Sequence, residues 1–128
     1  MSKLALLLAL VSASALAQHM EPGQWEFVSE VALPGLPPQQ SASSACLDRE
    51  QARDPMQWSQ GARLPADCRV ATLKLGPDHS SWQLECPVSA MRGAGRATIS
   101  RNSMQGELKM TGGVVTKTRG RRLGFCKP

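Results

Sequence analysis

The sequence lacks the motifs that mark most enzymes, metal sites and nucleotide sites. It has no Gly-x-Ser-x-Gly, and neither His19 nor His79 is framed by a nucleophile. Its four cysteines form no Cys-x-x-Cys pair for zinc, and its six methionines form no Met-x-Met cluster for copper. No Gly-Lys-Ser/Thr follows its glycines. We therefore predict a protein with no catalytic residue, no metal and no cofactor.

Aromatic side chains and long apolar runs are also scarce. There is no Tyr, and no aromatic residues are interleaved with the cations to stack on bases, so nucleic acid is a poor partner. Beyond residue 17, no stretch approaches the length of a membrane span. Of the 111 residues that follow, 40 are apolar. Because such a core is thin for a single small domain, we expect a covalent staple.

The first seventeen residues have the three parts of a secretory signal peptide. Met1-Ser2-Lys3 is a cationic head, residues 4–11 are an apolar run, and Ala15-Leu16-Ala17 is a small-residue ending. We expect cleavage after Ala17, which leaves one domain over residues 18–128. The pattern predicts an exported protein, with the periplasm as its compartment.

An exported chain with an even number of cysteines predicts two disulfides. Residues 69–75 and 80–85 flank turn residues around Pro77 and form a predicted hairpin. Its register sets Cys68 opposite Cys86, Val70 opposite Leu84, and Thr72 opposite Trp82. Facing positions in a hairpin come close enough for a disulfide. We therefore predict Cys68–Cys86, which leaves Cys46–Cys126 as the second pair.

The remaining patterns also favour strands. Residues 24–33 alternate between apolar and polar, and residues 95–100 and 104–110 form a second hairpin, followed by a strand over 114–119. After Cys46, Asp48 is placed to cap a short helix that Asp54-Pro55 would end. The predicted fold is an all-β antiparallel meander, either a curved sheet or a small barrel, with one short helix.

Charge is concentrated near the end of the chain. Residues 18–90 carry a net charge of −4 and residues 91–128 a net charge of +8. Lys117, Arg119 and Arg121 recur at period two, and Arg122 and Lys127 lie close by. This row is either a docking surface for an anionic envelope component or acidic protein, or a solvated edge strand whose cations discourage aggregation.

A second set of residues suggests a function for the inner face. A curved sheet would place four large apolar side chains together, either lining a pocket or filling the core: Trp25, Phe27, Trp82 and Leu84. The leading hypothesis is a non-enzymatic protein that binds a small ligand or an envelope component. The alternative is a protein-interaction module or inhibitor that uses the basic C-terminal face.

Several segments resemble, in the same order, a bacterial family called domain of unknown function 3617. They are Met20-Glu21-Pro22-Gly23-Gln24-Trp25-Glu26-Phe27, Pro34-Gly35-Leu36-Pro37, Cys46-Leu47, the unit from Cys68 through Ser81-Trp82 to Cys86, and Gly120-Arg121-Arg122-Leu123-Gly124-Phe125-Cys126. The resemblance implies a small four-cysteine envelope protein of a Gram-negative bacterium, and it implies no activity. Two places depart from the family pattern: Asp48-Arg49-Glu50-Gln51 stands where Thr-Pro-Glu-Asp is usual, and Phe125 stands where Pro is frequent.

Overall fold

Seven antiparallel strands form one open sheet in the computed structural model, which describes residues 19–59, 62, 64–77 and 79–127. The strands are β1 (Gly23–Ala32), β2 (Gln39–Leu47), β3 (Arg69–Leu75), β4 (Ser80–Cys86), β5 (Met91–Ile99), β6 (Ser103–Met110) and β7 (Val114–Gly124). Their order is β2-β1-β7-β6-β5-β4-β3. The all-β prediction is confirmed, and the sheet has free edges at β2 and β3. The predicted signal peptide, residues 1–17, lies outside the described residues.

One face of the sheet carries the core. In β1, β4, β5 and β6 the buried positions alternate with exposed or half-buried ones, as period-two patterning requires. The second hairpin forms as predicted, with Ile99 opposite Met104 at its closed end. The buried apolar residues are Met20, Trp25, Phe27, Leu47, Ala52, Trp58, Trp82, Leu84, Cys86, Ala97, Ile99, Met104, Leu108 and Met110.

The first predicted hairpin forms, but its register is partly wrong. Val70 lies opposite Leu84 as expected, whereas Thr72 lies opposite Gln83, and Trp82 is paired with Leu73. The register shifts between Val70 and Thr72 because β3 carries one extra residue there, a β-bulge. Such a bulge leaves no signal in the apolar pattern, so the prediction that Thr72 faces Trp82 fails.

The connection between β2 and β3 differs from the predicted helix. Asp48 Oδ1 accepts a hydrogen bond from the Gln51 amide at 2.8 Å, but the segment that begins there is a 3-10 turn over Gln51–Arg53, and its N-cap residue is Glu50. Asp54-Pro55 begins a helix instead of ending one. Asp54 Oδ1 accepts from the Met56 amide at 2.9 Å, and Pro55 occupies the first turn of α1 (Pro55–Trp58), where no amide hydrogen is needed.

Helix α1 covers the core with one large side chain. Trp58 is buried, donates its Nε1 hydrogen to the Ala52 carbonyl at 2.9 Å, and meets Trp82 edge-to-face at 5.5 Å between ring centroids. Edge-to-face contacts of this kind add to the burial energy of both rings. The turn and α1 therefore close the open side of the core.

Two disulfides fasten the sheet at both of its edges. Cys46 of β2 is bonded to Cys126, which follows β7, and Cys68 is bonded to Cys86 at the end of β4. These are the pairs predicted from the hairpin register. The first bond crosses over β1 and ties edge strand β2 to the end of the chain.

Candidate functional site

Three of the predicted cations share the exposed face of β7. Lys117, Arg119 and Arg121 alternate along this strand with buried residues. β7 pairs with β1 on one side and with β6 on the other, so it lies inside the sheet. A central strand has no free edge to protect. The interpretation of these cations as edge protection is therefore wrong.

The face of the sheet opposite the core holds a groove over β1, β7, β6 and β5. Its volume is about 760 Å³, within the range of small-molecule sites. Lys117 and Arg119 line it. The other lining residues are Val28, Glu30, Gln40, His79, Arg96, Ala97, Thr98, Gln105, Gly106, Glu107 and Thr118.

The core side of the sheet beneath the groove carries small residues. A row of small residues crosses five strands there in cross-strand register: Ser29, Thr118, Gly106, Ala97 and Ser80. The Ser29 and Thr118 hydroxyls are hydrogen-bonded at 3.0 Å, so the polar members of β1 and β7 satisfy each other. Thr118, Gly106 and Ala97 of this row also line the groove.

Charges alternate across the groove. Lys117 of β7 lies between two carboxylates, Glu30 of β1 on one side and Glu107 of β6 on the other. Beyond Glu107 lies Arg96 of β5. Opposite charges on neighbouring strands attract. Within the part of the chain described, the ion pair that Glu107 forms is with Lys109, at 3.5 Å from Nζ to Oε1. Lys117 and Arg96 thus stand beside carboxylates without a close ion pair to either.

Arg119 is the most available cation in the groove. Its cross-strand neighbours are Val28 and Gln105, neither of which carries a charge. Among the described residues it takes part in no ion pair, and its side chain is exposed. The N–H donors of such a guanidinium can bind an anion without first breaking an existing ion pair.

The structure separates the other predicted cations from the groove. Arg121 lies two residues further along β7 and pairs with Glu26 at 3.8 Å. Arg122 is half-buried, donates Nε–H to the Pro22 carbonyl at 2.9 Å, and lies over the Phe125 ring at 5.2 Å. Lys127 follows the last disulfide and is exposed. These three do not line the groove.

The four inner-face residues belong to the packed core. Trp25, Phe27, Trp82 and Leu84 are each between 0 and 3% exposed and lie in one apolar cluster. The Trp25 indole donates to the Glu21 carbonyl at 2.9 Å, and its ring stacks on Phe27 at 6.1 Å. Their burial is accounted for by packing, and the groove lies on the other face.

Several groove residues escaped the sequence analysis, above all Arg96, Glu30 and Glu107. Arg96 and Glu107 could have been found, because they face each other in the hairpin predicted for residues 95–110. Glu30 could not, since it reaches Lys117 only through the pairing of β1 with β7, which are far apart along the chain.

Other site types find no support within the described ranges. There, no three His, Cys, Asp or Glu side chains converge as a metal centre would require. None of the helices in those ranges is long and apolar enough to cross a membrane.

Comparison with known proteins adds one finding. No curated protein and no solved structure matches the chain. A family model described as a protein of unknown function, DUF3617, matches residues 20–126, which include every strand and all four cysteines. The chain is therefore a member of the DUF3617 family.

Proposed function

We propose that this protein is an exported, non-enzymatic binding protein of the bacterial envelope. Its groove would take a small ligand that carries a carboxylate or phosphate group. The observation that carries this proposal is Arg119, an exposed guanidinium that lines the groove from a central strand and forms no ion pair with any residue that the structure describes. Export is supported by the signal-peptide pattern of residues 1–17 and by the two disulfides, which persist in oxidising compartments.

The chemistry of the lining favours an anion with a polar body. Arg119, Lys117 and Arg96 supply cationic donors, and Glu30 and Glu107, which alternate with Lys117 and Arg96 across the strands, can accept hydrogen bonds from a ligand amine or hydroxyl. Guanidinium groups bind carboxylate and phosphate with two parallel hydrogen bonds. A ligand that carries both an anionic group and hydrogen-bond donors would match this alternating pattern.

The interaction-module alternative has weaker support. It needs the basic residues of the C-terminal region to form one surface, but Arg122 is held against Pro22 and Phe125, and Arg121 already pairs with Glu26. The groove keeps only Lys117 and Arg119 from that set. A small ligand fits this smaller, concave cluster better than a protein surface does.

The test is calorimetric titration with citrate as the carboxylate probe and pyrophosphate as the phosphate probe. We expect saturable binding of at least one probe that weakens as salt is added. Arg119→Gln should weaken it about tenfold, because a charge-assisted hydrogen bond contributes about 1.5 kcal/mol.

Arg121→Gln is the matched control. It removes the same charge from the same face of the same strand, but outside the groove. It should leave the affinity within about twofold of the wild type, because Arg121 is exposed and already pairs with Glu26. Equal losses for both variants, or no binding of either probe, would contradict the proposal.

A further inference from the structure

Edge strand β2 has one unpaired side. It lies at the end of the sheet and pairs with β1 in unbroken register from Gly23↔Leu47 to Val31↔Gln39. Seven of its nine residues are exposed. Among the described residues, no backbone hydrogen bond joins its outer side to another element. An unbroken row of amide and carbonyl groups therefore faces solvent, which is a template for another strand.

β2 also lacks the features that usually block strand addition. Its sequence, QQSASSACL, contains no charged residue and no proline. The opposite edge is protected, since β3 carries Arg69 and Lys74 and is bent by the bulge after Val70. The two edges of one sheet thus differ in the property that decides whether a strand can be added.

We propose that β2 pairs antiparallel with β2 of a second copy of this chain, about a two-fold axis through Ser43. Of the symmetric registers, this one pairs all nine residues of the strand. It sets Gln39 opposite Leu47, Gln40 opposite Cys46, Ser41 opposite Ala45, and Ala42 opposite Ser44. Every pair is uncharged, so a second copy meets no like-charge repulsion along the seam.

This pairing leaves the groove open. The two-fold axis is perpendicular to the sheet, so both copies present the groove on the same face of a continuous sheet. Only Gln40 of β2 lines the groove, and the cations lie on β5 and β7. The dimer and the ligand site are thus separate proposals that fail or succeed independently.

Sedimentation velocity across a concentration series tests the pairing. We expect the wild type to form a reversible dimer. Ser43→Lys and Ser43→Glu each place two like charges directly across the axis, and each should weaken dimerisation at least tenfold. An equimolar mixture of the two variants should restore the dimer, because opposite charges then face each other.

Two controls make the outcome decisive. Ser43 is exposed, so circular dichroism should show both variants folded as the wild type is. Thr72→Lys places the same charge on the β3 edge, where Thr72 is also exposed, and should leave the dimer intact. A wild type that stays monomeric at about 1 mM, Ser43 variants that dimerise like the wild type, a mixture that stays monomeric, or loss of the dimer in Thr72→Lys would each overturn the proposal.

Discussion

Gly95 of β5 supports the Trp82 indole directly, and replacing it with alanine should destabilise the fold. A methyl group added at Gly95 would lie 2.6 Å from Trp82 Nε1 and still closer to Cε2 and Cζ2. These atoms need a separation of well over 3 Å, so either the ring or the strand must move. Trp82 has little room to move, since it is 3% exposed and Trp58 packs against it.

The expected cost follows from the overpacked contact. Inserting a methyl group into a well-packed core costs about 1–3 kcal/mol. For a domain of this size, that lowers the melting temperature by about 4–12 °C. Urea denaturation followed by tryptophan fluorescence and by circular dichroism would measure the loss of free energy of unfolding, because Trp58 and Trp82 report on the contact itself.

Gly106→Ala is the matched control. Gly106 lies on the next strand, and an added methyl group there would meet Met104 Cε at 3.3 Å and Ala97 Cβ at 3.4 Å. The methionine end is flexible, and alanine restricts the unfolded chain, so we expect a change between zero and a gain of about 1 kcal/mol. A stable Gly95→Ala, or equal losses in both variants, would refute the packing argument.

Two further predictions concern the disulfides and acid pH. Replacing both Cys46 and Cys126 with alanine should lower the free energy of unfolding by about 4.5 kcal/mol, because the disulfide closes a loop with a sequence separation of 80. Chemical denaturation with Cys68–Cys86 intact would measure the change. A loss below about 1 kcal/mol would contradict the prediction. The Ser89 hydroxyl, with the Ser89 and Val88 amides, holds the pKa of Asp67 below its usual value. The stabilisation from this lowered pKa is complete above the pKa that Asp67 has in the unfolded chain, and it is lost as the pH falls through the pKa that Asp67 has in the folded protein. The Ser89 amide signal should therefore shift only below about pH 4. Asp67→Asn should abolish that shift.

The sequence predicts the strands whose two faces differ. β1 and β4 are marked by Trp25, Phe27, Trp82 and Leu84, each one residue away from a polar neighbour. β2 escaped prediction because both of its faces are largely exposed, so it shows no apolar alternation to detect. β3 is also largely exposed, but it was predicted from the turn residues around Pro77 that join it to β4.

Local chemistry explains the misplaced helix. Asp54-Pro55 is compatible with the end of one helix, because proline cannot continue a helix. It is equally compatible with the start of the next, because the first turn of a helix needs no amide hydrogen from proline. The preceding segment already forms a 3-10 turn, whose first amide donates to Asp48, and α1 then starts at Pro55. Sequence alone does not choose between these readings, whereas the burial of Trp58 does.

The groove depends on long-range pairing. Lys117 and Arg119 were recognised by their spacing, but the wall that faces them comes from β1, which joins β7 across the length of the domain. The same pairing removes the edge-strand interpretation, since it places β7 inside the sheet. The strand order therefore excludes edge protection as the role of Lys117 and Arg119, and it places them beside residues of β1 and β6.

The proposed anion site lies on the open face of the sheet, and nuclear magnetic resonance can locate it directly. Titrating citrate or pyrophosphate into ¹⁵N-labelled protein should shift the amides of Arg96, Glu107, Lys117 and Arg119, which line the groove. The indole signals of Trp25 and Trp82, on the core side, should stay in place. Shifts that spare the groove and move the indole signals would contradict the account.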